Sequence, residues 1–141
     1  MNSTLTAQSA FCTIGKGYYS FGFENDDEGS SQYLIFSRSR ELTIEDVEDD
    51  IWDTFYMEWN TPDTFLFGGF TSIELYQEEL VVRVDRFAAS QIHANEITVI
   101  FDKKIPLLDK IAYALHACAP HAFKDKRDTP PQRKRAEATV E

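Results

Sequence analysis

The chain has 141 residues, 43% hydrophobic and 13% aromatic, with a formal net charge of −10. It can bury the core of one domain and is too rich in Phe and Tyr for a disordered chain. The acid excess argues against nucleic acid and against an anionic membrane surface, both of which are bound through clustered Lys and Arg.

Residues 1–10 are polar and read as a frayed N-terminus. They carry no basic start and no sustained apolar run, so they do not read as a secretory signal. No stretch approaches the roughly 20 apolar residues of a membrane span. Cys12 and Cys118 lie far apart without metal-type spacing, which suits a reducing cytoplasm better than a disulfide framework. The expectation is a cytoplasmic domain over residues 11–123.

From Phe11 the sequence alternates as strands do, first over 11–14 and then over 18–24. Residues 25–31, NDDEGSS, have the composition of a turn. Gln32 to Arg38 is apolar on both faces, which predicts a strand in the middle of its sheet. Thr43 can cap a short helical turn over residues 44–50, with Asp46 at the capping-box position.

Thr54 to Trp59 reads as the next strand, with Phe55, Met57 and Trp59 on one face and Thr54, Tyr56 and Glu58 on the other. Thr61-Pro62-Asp63 reads as a turn. Phe65 to Tyr76 reads as one or two strands around Gly68-Gly69, where missing side chains permit a bulge or a close backbone approach. Residues 72–76 and 80–85 read as a hairpin, residues 87–92 as a short helix, and residues 95–102 as another strand. Pro106 suits the first turn of a helix, and Leu108, Ile111, Ala112, Leu115 and Cys118 follow as its apolar stripe. Pro120 ends it. Residues 124–141 include Lys124, Lys126, Arg127, Arg133, Lys134 and Arg135 with Pro130-Pro131, and read as a basic, disordered tail.

Strands in series before a C-terminal helix predict an α+β domain. Its expected form is one antiparallel β-sheet of about six to seven strands with the helix packed on one face. Most aromatics alternate within strands and are expected in the core.

The chemistry-bearing residues point away from catalysis. There is no glycine-rich phosphate loop, no nucleophile elbow and no cysteine in a nucleophile motif. His116, Cys118 and His121 could be read as a metal cluster, but residues two apart on a helix project about 200° apart. His116 is more simply a helix C-terminal residue favoured by the dipole. No cofactor or metal is expected.

One segment stands apart. Between Glu41 and Glu58 lie eight carboxylates and no Lys or Arg, with Trp52 and Tyr56 among them and Trp59 next. For charge runs in general, a solvated acidic loop is the commoner explanation. The sharper one is a partner-binding surface for a basic protein: Asp46, Glu48, Asp49, Asp50 and Asp53 as steering charges, Tyr56 and Glu58 on one strand face, Trp52 and Trp59 as apolar anchors.

From about Tyr18 to Cys118 the chain resembles the immunity protein 10 family of bacterial polymorphic toxin systems. The resemblance rests on YLIFSRS at 33–39, DTFYME at 53–58, FGGFTSIEL at 67–75, LVVRVD at 80–85 and EITVIFD at 96–102. Tyr56-Met57-Glu58 matches the family's Tyr-x-Glu, while Phe67 stands where the family's turn has a tyrosine, so no hydrogen-bonding role is carried over there. The resemblance implies a small non-catalytic cytoplasmic protein that neutralises a cognate toxin by binding it. The charge adds a nuclease with a basic groove as the candidate toxin. Two other classes stay open: a divalent-metal-binding or small-molecule enzyme using the carboxylate cluster, and an assembly adaptor. Toxin identity and oligomeric state are not legible.

Overall fold

The computed structural model describes residues 2–25, 32–39, 55–102 and 104–128. Five strands pair in simple sequence order: β2 (Ser9–Ile14), β3 (Tyr18–Glu24), β4 (Tyr33–Ser39), β5 (Tyr56–Trp59) and β6 (Thr61–Phe67). All neighbours in this meander sheet are antiparallel, and β4 is central, as its two apolar faces predict. The chain turns from β5 into β6 at Asn60, whose φ of 66° places it in the left-handed region. Its side-chain carbonyl accepts the Tyr33 backbone N–H at 3.0 Å. The turn therefore sits before the expected Thr61-Pro62-Asp63. Pro62 lies within β6, which tolerates it because β6 is an edge strand.

Gly68 and Gly69, with φ of 97° and 85°, follow β6 and lead into the second sheet. A Cβ at Gly69 would stand 2.8 Å from that of Ala88, so both backbone angle and space call for glycine. The second sheet is ordered β1-β9-β8-β7-β10, with β1 (Asn2–Ala7), β7 (Phe70–Leu75), β8 (Glu79–Val84), β9 (Glu96–Phe101) and β10 (Phe123–Asp125). It is mixed: β7-β8 and β8-β9 are antiparallel, while β1 runs parallel to β9 and β10 parallel to β7.

The expected single sheet of six to seven strands is thus, among the described residues, two sheets of five in an α+β arrangement. Residues 2–7, expected to be frayed, form β1 because Leu5 and Ala7 alternate with threonines and are fully buried, Leu5 opposite Val99. A parallel partner is within reach because the whole meander sheet intervenes between β1 and β9. Structure also continues past Phe123, whose register partner is Ile73. Residues 129–141, the greater part of the predicted tail, lie outside the described residues.

Among the described residues, two helices complete the fold. In α1 (Arg86–Ile92), Asp85 caps the N-terminus, accepting the Ala88 N–H at 2.8 Å. The second, α2 (Leu108–Cys118), buries Ile111, Ala112, Ala114, Leu115 and Cys118. It packs against β2 and β3 of one sheet and β10 of the other, so it bridges the sheets and does not simply lie on one face. His116 is exposed while Cys118 is fully buried, as helical geometry requires of residues two apart.

Aromatic stacking joins the sheets. Phe36 lies 5.3 Å from both Phe21 and Phe55, and Phe70 of the mixed sheet reaches Phe55 at 5.1 Å. Phe23 stacks on Phe101 at 5.4 Å. Each such pair contributes about 0.5–1.5 kcal/mol beyond its area burial.

Candidate functional site

Register decides which side chains meet on the outward face of the meander sheet. One row crosses all five strands: Phe11, Gly22, Ile35, Glu58 and Phe65. The next row places Tyr56 beside Phe67 and Ser37. On β5 the alternation is as predicted, with Met57 and Trp59 buried and Tyr56 and Glu58 outward and half-buried. Gly22 has a steric reason for lacking a side chain, since a Cβ there would stand 2.3 Å from the Leu34 carbonyl oxygen.

Glu58 is held by two phenols. Tyr56 donates to Oε1 at 2.6 Å, and Tyr33 donates to Oε2 from the adjacent strand β4. Burial, then hydrogen bonding to this carboxylate, pushes both tyrosine hydroxyls up to about 12. Around the group sit three rings: Tyr56 and Phe67 with centroids 5.2 Å apart, Tyr56 and Phe65 at 5.9 Å, Phe65 and Phe67 at 5.7 Å. Phe65 is 42% and Phe67 61% exposed, while Leu66 between them is buried in the core.

Of the predicted partner-binding residues, the structure brings Tyr56 and Glu58 together on this face. Trp59 is 7% exposed and belongs to the core, so it is not an available anchor. It shares the inward face of β5 with Met57, opposite Leu34 of β4. Asp46, Glu48, Asp49, Asp50, Trp52 and Asp53 lie outside the described residues, as does the predicted capped turn. Tyr33, Phe65 and Phe67 were not singled out from sequence, apart from the missing Phe67 hydroxyl. Only cross-strand register brings them to Glu58.

A second concave region, a cleft of about 390 Å³, lies between the end of β4, the Gly68-Gly69 turn and the C-terminus of α2. Its lining includes Arg38, Phe55, Phe70 and His121, and the Arg38 guanidinium donates to the Cys118 carbonyl. The described lining holds no carboxylate, so it offers no acid–base pair of the glycosidase kind. Desolvation pushes the Cys118 thiol up to about 12 despite Arg38, the reverse of an activated nucleophile. Among the described residues, no group of three metal-ligating side chains converges, and no helix is long and apolar enough to cross a membrane.

Residues 6–106 match the family model described as Immunity protein 10. The chain belongs to the immunity protein 10 family. Toxin neutralisation through binding of a cognate toxin is the general function that membership implies. No curated protein and no solved structure matches the chain.

Proposed function

We propose that this immunity protein is a cytoplasmic, non-catalytic inhibitor that binds its toxin through acidic and aromatic residues. These are Asp46, Glu48, Asp49, Asp50, Trp52 and Asp53 with the outward pair Tyr56 and Glu58. The observation that carries the reading is the outward placement of Tyr56 and Glu58 on β5, the strand that the acidic run enters. Dense like charge destabilises a compact state, so its presence beside exposed aromatics favours a positively charged partner. A nuclease with a basic groove for nucleic acid has the matching chemistry, and the inhibitor's carboxylates would stand in for phosphates.

Light scattering of the purified protein mixed with the product of the neighbouring toxin gene, at two salt concentrations, tests this. A stoichiometric, salt-sensitive complex is expected. Asp49→Lys with Asp50→Lys should slow association chiefly, because charges at the edge of an interface act on encounter. Unchanged binding by that double variant would return the acidic run to a solvated face.

A further inference from the structure

The three-ring cluster on the meander sheet leaves Phe65 and Phe67 exposed to solvent. Strand β6 already buries Leu66, and Phe65 and Phe67 flank it on the outward side. Contiguous exposed aromatic surface on a soluble domain marks an interaction site more often than scattered apolar residues do. Here the surface also carries a fixed charge. Glu58 lies in register with Phe65, and each of its oxygens accepts one tyrosine hydroxyl. A carboxylate oxygen has a second acceptor position, so counting donors among the described residues, both oxygens keep capacity for a further one. The faces of the adjoining rings are themselves negative in their quadrupole.

We propose that Glu58 with Tyr56, Phe65 and Phe67 forms a receptor for one arginine side chain of the protein partner. This deepens the toxin-binding reading and rests on it. A guanidinium is planar and weakly hydrated, stacks on aromatic rings, and donates in a fork toward a carboxylate. Tyr33 acts as a positioning residue, since its hydroxyl fixes the carboxylate from the neighbouring strand. The net charge of −10 favours such a cation at longer range and disfavours a second copy of this chain on the same face.

The test is a titration of the full chain with Nα-acetyl-argininamide, read by NMR at the Tyr56, Phe65 and Phe67 ring resonances, with the citrulline and lysine analogues as controls. Saturable shifts with the arginine compound are expected, with the lysine analogue weaker. Loss of one good cation–ring or charge contact corresponds to about a three- to fivefold weakening, expected for Phe67→Ala and Glu58→Gln respectively. Tyr33→Phe keeps the ring and should weaken binding while leaving the amide spectrum intact, which covers the case of a variant that folds poorly. Equal shifts with citrulline, tighter binding of the lysine analogue, or no shift with arginine would overturn the assignment. Concentration-dependent shifts of the same rings without any probe would make a second copy the occupant and overturn it equally. The probe requires no toxin, so the two readings fail separately. Arginine binding without a toxin complex would reject the toxin reading, and a toxin complex without arginine binding would reject this receptor.

Discussion

The outward faces of the two sheets each hold a partly or fully buried glutamate, and they treat it in opposite ways. On the mixed sheet, Glu74 is buried and meets two cations, Arg83 at 2.6 Å and Lys126 at 2.6 Å. Arg83 also reaches Glu96 at 2.9 Å, so the charges there are compensated within the chain. On the meander sheet, Glu58 is held by hydroxyls, among aromatic rings left in solvent. The first arrangement satisfies a charge and contributes to holding the fold together. The second orients a charge that meets no cation among the described residues. Where a protein places its internal cations distinguishes a structural face from a binding face, even when both are strands of the same alternating pattern.

The largest effect should come from breaking the compensated side. Glu74→Gln leaves Arg83 and Lys126 facing a neutral amide and should cost about 2 kcal/mol in urea unfolding. That is less than the ~3–5 kcal/mol of a fully buried pair, because both cations are about a third exposed. The same site gives a pH signature. Burial alone would raise the Glu74 carboxyl, but hydrogen bonds and charge from Lys126 and Arg83 outweigh it and hold it below its ordinary 4.5. Its contribution is therefore present above that value and is lost as pH falls through the lower folded value. Acid unfolding of the Glu74→Gln variant should show a correspondingly shallower loss of stability over that range. An unchanged acid profile would mean that the network stabilises nothing.

On the meander sheet the readout is ionisation. Tyr33 and Tyr56 are raised to about 12, so both should ionise late in an ultraviolet titration. For a group raised on folding, the associated stability is full below its unfolded value near 10 and is lost as pH climbs through 12. Glu58→Gln removes the charge that opposes phenolate formation and should bring both tyrosines down. A titration in which Tyr33→Phe or Tyr56→Phe removes no late-ionising group would show that the clamp is not formed in solution.

Much of this contrast was hidden in the sequence for identifiable reasons. Alternation located eight of the ten described strands, β2 to β9, among them the inward trio Phe55, Met57 and Trp59, but alternation reads the same in one sheet as in two. What divides them is the handover at Gly68-Gly69 and the parallel docking of β1 and β10, both long-range events without a local signal. The inward phase of Trp59 was legible, yet its neighbourhood in an acidic run suggested an anchor. Phe65-Leu66-Phe67 is apolar on both faces, so periodicity could not say which face is solvent. Tyr33 is 25 residues from Glu58 in sequence, and only the pairing of Ile35 with Glu58 brings its hydroxyl within reach. The Tyr-x-Glu motif itself was visible; the receptor around it was not.

The smallest stability effect is expected on the binding face. Phe67→Ala removes a ring that is 61% exposed and touches Tyr56 and Phe65 at the surface, with the core residue Leu66 untouched beside it. Substitutions away from buried features usually stay within about 0.5 kcal/mol, and the urea midpoint of this variant should fall in that band. Glu74→Gln should do the reverse, lowering stability while leaving ligand titrations at the meander face unchanged. A loss of more than about 1.5 kcal/mol in Phe67→Ala would exceed what an aromatic pair contributes and would make the cluster a structural element. The contrast between the faces would then collapse, since both would be serving the fold.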